Sequence, residues 1–139
     1  MSAIALKCAA LLARSFPDGG SWSEEDIDRV LASPGGRLFE VEGGFLIANV
    51  VLDEAEIWTF AVDPGMRRRG HGRALLDMAQ KELAATGVKK LFLEVADDNS
   101  AARNLYKSSG FTESGRRPNY YRGESGVKTD AILMQKFLT

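Results

Sequence analysis

A chain of 139 residues is long enough for one domain, which would bury roughly two-thirds of the surface its unfolded form exposes. Its 45% hydrophobic and 27% charged residues are ordinary globular proportions and exclude a low-complexity or wholly disordered chain. Eighteen basic residues against nineteen acidic ones give a net charge of −1. No basic excess points to direct nucleic-acid binding, so any cationic function must be local.

Residues 4–14 have the length and composition of a first helix, stopped before Pro17. The single cysteine, Cys8, lies in its apolar run, with no disulfide partner and no metal-ligand cluster around it. It reads as a small buried helix residue, and a reducing compartment is expected. The run is short, contains Lys7 and leads into Arg14, so neither a membrane span nor a signal peptide is expected. The expected location is cytoplasmic.

Asp18-Gly19-Gly20-Ser21 is a loop by turn chemistry. Ser23, with Asp26 three residues on, forms a capping box, and Trp22 and Ile27 take the staple positions. A second helix to about Ala32 follows. Residues 37–42 and 45–52 read as strands around the hairpin signal Gly43-Gly44, and residues 55–62 as a third strand closed by Asp63-Pro64. Between 70 and 86 the period becomes helical, with Leu75, Met78, Ala79 and Leu83 on one face and Gly87 placed to end the helix. Residues 91–95 form a short strand, and Asn99 or Ser100 caps a helix running to Gly110. The tail is expected to hold a strand near Phe111, a polar loop carrying Arg117, Tyr120 and Tyr121, and a last strand over 130–138. No repeat or linker divides residues 1–139, and one domain is expected. Strands first, then helix–strand–helix–strand, imply an α/β fold of the mixed α+β kind, a central mixed sheet flanked by helices.

The densest chemical signal is Asp63-Pro64-Gly65-Met66-Arg67-Arg68-Arg69-Gly70-His71-Gly72-Arg73, which follows a strand and opens an amphipathic helix. Its two later glycines permit close backbone approach to a ligand, and a helix N-terminus offers N–H groups to an anion. Each exposed charge–dipole contact is worth only about 0.3–1 kcal/mol, so several groups must converge on one anion. The Gly-Lys-Ser/Thr of a nucleotide hydrolase and the Gly-x-Gly-x-x-Gly of a dinucleotide fold are both absent. The loop alone also allows a solvated basic helix start. His71, the only histidine, has no second ligand nearby, so no metal site is expected and the ring is placed near the anion.

Glu94 sits near the carboxyl end of an apolar strand, where open α/β sheets bind ligands. A carboxylate there needs a partner or a purpose, and spacing leaves a structural ion pair and catalysis equally open. Tyr106 shares a helix face with Ala102 and Ser109, where an aromatic is more often core than catalyst.

Arg67-x-x-Gly70-x-Gly72 resembles the pyrophosphate motif of the GNAT superfamily of N-acetyltransferases, Gln/Arg-x-x-Gly-x-Gly/Ala. The resemblance extends to Phe60-Ala61-Val62-Asp63-Pro64 and to Asn99…Ala102…Leu105-Tyr106…Gly110-Phe111, in order and at family spacing, over about residues 45–138. Phe16-Pro17, Trp22-Ser23-Glu24, Val51-Leu52-Asp53-Glu54-Ala55, Leu93-Glu94-Val95, Asn119-Tyr120-Tyr121 and Asp130-Ala131-Ile132 look like the ribosomal-protein-alanine N-acetyltransferase subgroup.

That resemblance implies acetyl-CoA as cosubstrate. The backbone of Phe60, Ala61 and Val62 would line its pantetheine arm, Arg68, Arg69, Gly70, His71, Gly72 and Arg73 its pyrophosphate, and Asn99 a point further along. It makes Glu94 the proton acceptor, through water, and Tyr106 the acid that protonates the leaving thiolate. A phenol near pKa 10 serves a thiolate whose acid lies near 8.5 only within hydrogen-bond reach. Trp22, Arg117, Tyr120 and Tyr121 become walls of a groove for a protein N-terminus, with alanine first, as in a small-subunit ribosomal protein. Acetylation of a small amine or a lysine side chain is the alternative, followed by a non-catalytic acyl-CoA-binding module. Three departures bear on the acceptor side. The usual first strand of the fold is short or missing, residues 18–21 separate Pro17 from Trp22, and Pro118 stands where a second basic residue is expected.

Overall fold

The computed structural model describes residues 3–15, 23–66, 70–122, 126 and 128–138. Its elements are α1 (Ala3–Ser15), α2 (Glu24–Ala32), β1 (Gly36–Val41), β2 (Gly44–Val51), β3 (Glu54–Val62), a short 3-10 turn at Pro64–Met66, α3 (His71–Ala85), β4 (Lys90–Ala96), α4 (Ser100–Ser108), β5 (Thr112–Arg122) and β6 (Lys128–Phe137). The strands form one mixed sheet in the order β1-β2-β3-β4-β6-β5. Its one parallel pair is β3 with β4, the two strands joined through the α3 crossover that parallel neighbours require. Among the described residues no strand precedes α1.

Side-chain alternation along β2 sets the layers. Leu46 and Ala48 point into one core with Leu75, Leu76, Ala79 and Leu83 of α3. Phe45 and Ile47 point into the other with Ala5, Cys8, Leu11 and Leu12 of α1 and Ile27 of α2. Cys8 is a core residue: burial, then the negative charge of Glu40, pushes its thiol up to about 11, and Lys7 opposes only in part. No helix among the described residues is long and apolar enough to cross a membrane.

The capping box forms as its spacing requires. The Ser23 hydroxyl accepts from the Asp26 N–H at 3.1 Å, and the Asp26 carboxylate accepts from the Ser23 N–H at 3.1 Å. Glu24, Glu25 and Asp26 fill the first turn, where negative charge meets the positive end of the helix dipole. The staple partner Trp22 and the loop 18–21 lie outside the described residues.

The tail differs from expectation. In place of a short strand at Phe111 and a polar loop, one long strand, β5, extends from Thr112 to Arg122, irregular in its pairing at two places, and carries Arg117, Tyr120 and Tyr121. It is an edge strand, paired with β6 alone and mostly exposed, so it never needed the apolar alternation that marks an inner strand. Pro118 is tolerated because an edge strand can lose a donor without breaking an inner ladder.

Candidate active site

The parallel ladder is short. Glu54 pairs with Lys90, Ala55 with Leu91 and Glu56 with Phe92, and there it stops, although β3 continues to Val62 and β4 to Ala96. A bulge in β3 lies at the point of separation. Ile47 pairs with Thr59 and Ala48 with Ile57, so Trp58 is the extra residue. Bulges bend a strand and reset its alternation. Ala55 and Ile57 face the α3 core before the bulge; after it Phe60 joins that core and Ala61 turns to the α1 side. A wedge therefore opens between residues 57–62 and 93–96. A strand edge left this way can hold an added extended chain by its main-chain groups.

At the wedge, α3 presents its N-terminus. Residues 67–69 lie outside the described residues, so the structure says nothing of Arg68 and Arg69. Gly70 is the N-cap with φ 78°, and its carbonyl accepts from Ala74 at 3.0 Å. First-turn N–H groups of a helix have no intrahelical acceptor, which suits His71, Gly72 and Arg73 to an anion. The two glycines serve different ends. A Cβ on Gly70 would meet nothing, so that glycine answers the left-handed backbone. A Cβ on Gly72 would stand 3.5 Å from Leu105 and 3.8 Å from Phe60 and Val62, so that glycine sets how closely α3 packs on β3 and α4. Gly72→Ala should therefore bind acetyl-CoA nearly as wild type does. Gly72→Val should displace Phe60 or Leu105 and weaken binding at least tenfold. Calorimetric titration of the two folded variants checks this; equal affinities would remove Gly72 from the site.

The Arg73 side chain has partners within the protein. Its guanidinium donates to the Ser108 carbonyl at 3.3 Å, the Ser109 hydroxyl at 3.2 Å and the Ser108 hydroxyl at 2.8 Å. It thus sits at the C-terminus of α4, where the helix dipole favours a cation, while its backbone N–H lies in the first turn of α3. Asn99 is the N-cap of α4, its side-chain oxygen accepting from the Ala102 N–H at 3.2 Å, so its amide NH2 is what it can offer a ligand.

Tyr106 is 8% exposed, its ring 6.2 Å from that of Phe60 and 5.6 Å from that of Phe111. Phe60 lies on the β3 side of the wedge, so Tyr106 packs against that wall from the α4 face. Burial raises its phenol above the ordinary tyrosine range.

Glu94 alternates with Leu93 and Val95, which enter the α3 core, and so faces the other side of the sheet. There the Arg117 guanidinium lies 3.2 Å from its carboxylate and 5.3 Å over the ring of Tyr120. Glu94 and Tyr120 line an open groove of about 710 Å³ with Asp26, Arg29 and Val30 of α2 and Glu56, Ile57 and Trp58 of β3. The structure thus brings Glu94, Arg117 and Tyr120 together. Trp22 and the side chain of Tyr121 lie outside the described residues. Asp26, Arg29, Glu56 and Trp58 also line the groove, although their places in the sequence do not point to it. The one available signal was Trp58, a tryptophan 38% exposed in an apolar strand and bonded to Glu56 at 2.8 Å.

A sequence profile described as the Acetyltransferase (GNAT) family matches residues 7–111. The chain belongs to this family. It is 50% identical over 90 residues to the ribosomal protein bS18-alanine N-acetyltransferase of Escherichia coli (strain K12), a match over 65% of this chain and 60% of that relative's length. The crystal structure of the ribosomal-protein-S18-alanine N-acetyltransferase from Escherichia coli is similar at a TM-score of 0.88 and 34% identity, covering 100% of this chain and 91% of that one. Arabidopsis thaliana NAA60, crystallised in complex with acetyl-CoA, is similar in fold at a TM-score of 0.82 and 20% identity, covering 96% of this chain and 93% of that one. In this GNAT family member the wedge, the N-terminus of α3 and the Glu94 groove are contiguous, because one bulged strand, β3, borders all three.

Proposed function

We propose that this GNAT family member transfers an acetyl group from acetyl-CoA to the α-amine of a protein N-terminus, with alanine first, as in a ribosomal protein, and works in the cytoplasm. The observation that carries this is the ladder ending at Glu56 and Phe92, which opens a wedge beside the groove that holds Glu94.

The residues fit acetyl-CoA by their chemistry. Phe60, Ala61 and Val62 supply an edge for an amide-bearing arm, as for an added strand. Gly70, His71, Gly72 and Arg73 supply a helix N-terminus for a pyrophosphate, with Arg68 and Arg69 beside it in sequence and Asn99 further along. Acetyl-CoA would supply an acyl thioester. On the acceptor side, the Arg117 guanidinium lies 3.2 Å from the Glu94 carboxylate at the groove wall, and an incoming ammonium approaches that carboxylate across a water. Glu94 accepts its proton through a water, and the neutral amine attacks the acyl carbon directly. The C–N bond forms, the C–S bond breaks, and Tyr106 gives its phenolic proton to the departing sulfur. The proton the nitrogen sheds on becoming an amide passes to solvent, from which Tyr106 is reprotonated. Trp22, Arg117, Tyr120 and Tyr121 form the walls that hold the peptide.

Chemistry separates an α-amine from a lysine. Their pKa values near 7.7–8.0 and 10.4 differ by roughly 2.5 units, so neutralising lysine costs about 3 kcal/mol more at neutral pH. One carboxylate working through water suits the easier deprotonation. Two matched peptides test this: one with a free N-terminal alanine and arginine in place of lysine, the other N-terminally blocked with an internal lysine. Mass spectrometry should show the first acetylated faster. Faster acetylation of the blocked peptide would replace the α-amine with a side chain as the acceptor.

A further inference from the structure

Where β5 passes Asp130, its pairing with β6 is uneven. Arg117 pairs with Ala131 and Tyr121 with Thr129, so Pro118, Asn119 and Tyr120 stand opposite Asp130 alone. Three residues against one must bow out of the ladder. Within the bow Asn119 has φ 54°, a left-handed backbone that asparagine tolerates better than most residues. Its N–H donates to one Asp130 carboxylate oxygen at 2.9 Å. The other oxygen accepts from Arg116 at 2.8 Å. Arg116 also donates to Asp97 at 3.1 Å, and Asp97 accepts from Arg103 of α4 at 2.6 Å. The bow is thereby tied to the end of β4 and to α4, the two elements that carry Glu94 and Tyr106. On either side of Asn119, Arg117 and Tyr120 stack at 5.3 Å, with Arg117 on Glu94 at 3.2 Å.

We infer that Asp130 is a positioning residue for the acceptor, pinning the bow of β5 that sets Arg117 and Tyr120 over Glu94. The Asn119 N–H meets a carboxylate there, so the contact is charge-assisted. Arg116, then the Asn119 N–H, holds the Asp130 carboxyl below the usual carboxylate range, so the tie persists wherever the amine is acetylated. Asp130 acts through other residues and is not assigned to the reacting atoms.

The inference rests on the acceptor groove proposed above, and the assay separates the two. D130A should raise KM for an N-terminal alanine peptide about tenfold, with kcat and KM for acetyl-CoA within about twofold of wild type. D130N keeps an oxygen for the Asn119 N–H and should recover most of that KM. An unchanged peptide KM in D130A, or D130N as impaired as D130A, overturns the inference. Should wild-type enzyme refuse N-terminal peptides and accept a lysine side chain, the acceptor proposal fails, and the same KM comparison on the lysine peptide decides the role of Asp130. Amide exchange in the wild-type protein depends on no variant folding. The Asn119 N–H should be protected although it lies outside the strand ladder, and free exchange there overturns the inference.

Discussion

Tyr106→Phe should lower kcat about a hundredfold and leave acetyl-CoA affinity nearly unchanged, because the lost hydroxyl is asked to act only as the thiolate departs. That factor corresponds to about 2.7 kcal/mol of transition-state stabilisation. The substitution keeps the ring, and with it the contacts to Phe60 and Phe111 that hold α4 against β3. If Tyr106 were only a core aromatic, phenylalanine would serve as well, and kcat would match wild type. Burial bears on the proton directly. It raises the phenol above its ordinary value, so Tyr106 stays protonated across the pH range in which amines are acetylated and adds no alkaline limb to the rate profile. A weaker acid is a poorer donor in water, but the same apolar surroundings penalise a thiolate too and raise its demand for a proton. Single-turnover rates, with chemistry limiting, decide the matter; a wild-type rate in the phenylalanine variant would return Tyr106 to the core.

What the sequence makes legible here is local, and what it hides depends on distant partners. The Ser23–Asp26 box, the turn at Gly43 and the N-cap at Asn99 are contacts between residues a few positions apart, so their spacing carries them. The direction of Arg73 does not follow from its neighbours: beside two glycines it looks destined for an anion, yet its hydrogen-bond partners Ser108 and Ser109 lie 35 and 36 residues away. The length of β5 was hidden because an exposed edge strand with Pro118 has a loop's composition. The wedge was hidden as well, since where a parallel ladder ends depends on the bulge at Trp58, and β3 is too apolar around it to show the change of phase. Asp130 looked like the start of a last strand; only the uneven pairing of β5 and β6 gives it a task. The roles proposed for Glu94 and Tyr106 rest on resemblance, and the structure adds the groove and the ion pair around Glu94.

Glu94→Gln should cost a hundredfold or more in kcat at pH 7, about the effect expected of a positioned base, and the deficit should shrink as pH rises. With an α-amine pKa of 7.7–8.0, only about one acceptor in ten is neutral at pH 7, whereas nearly all are neutral by pH 9.5. An enzyme without its base depends on that neutral fraction, so its rate climbs with pH while the wild-type rate, supplied by Glu94, climbs less. The competing account is that Glu94 serves only as the ion partner of Arg117. That pair is 21% exposed on the glutamate and 53% on the arginine, so solvent screens it, and exposed pairs of this kind are worth about 1 kcal/mol or less. Its loss would then cost under about tenfold, equally at every pH. Arg117→Ala breaks the same pair but keeps the carboxylate, so it should act chiefly on KM for the peptide, whereas Glu94→Gln acts on kcat. A pH-independent loss in the glutamine variant, matched by the alanine variant in both size and parameter, would make the ion pair the whole role of Glu94 and leave deprotonation of the amine to bulk water.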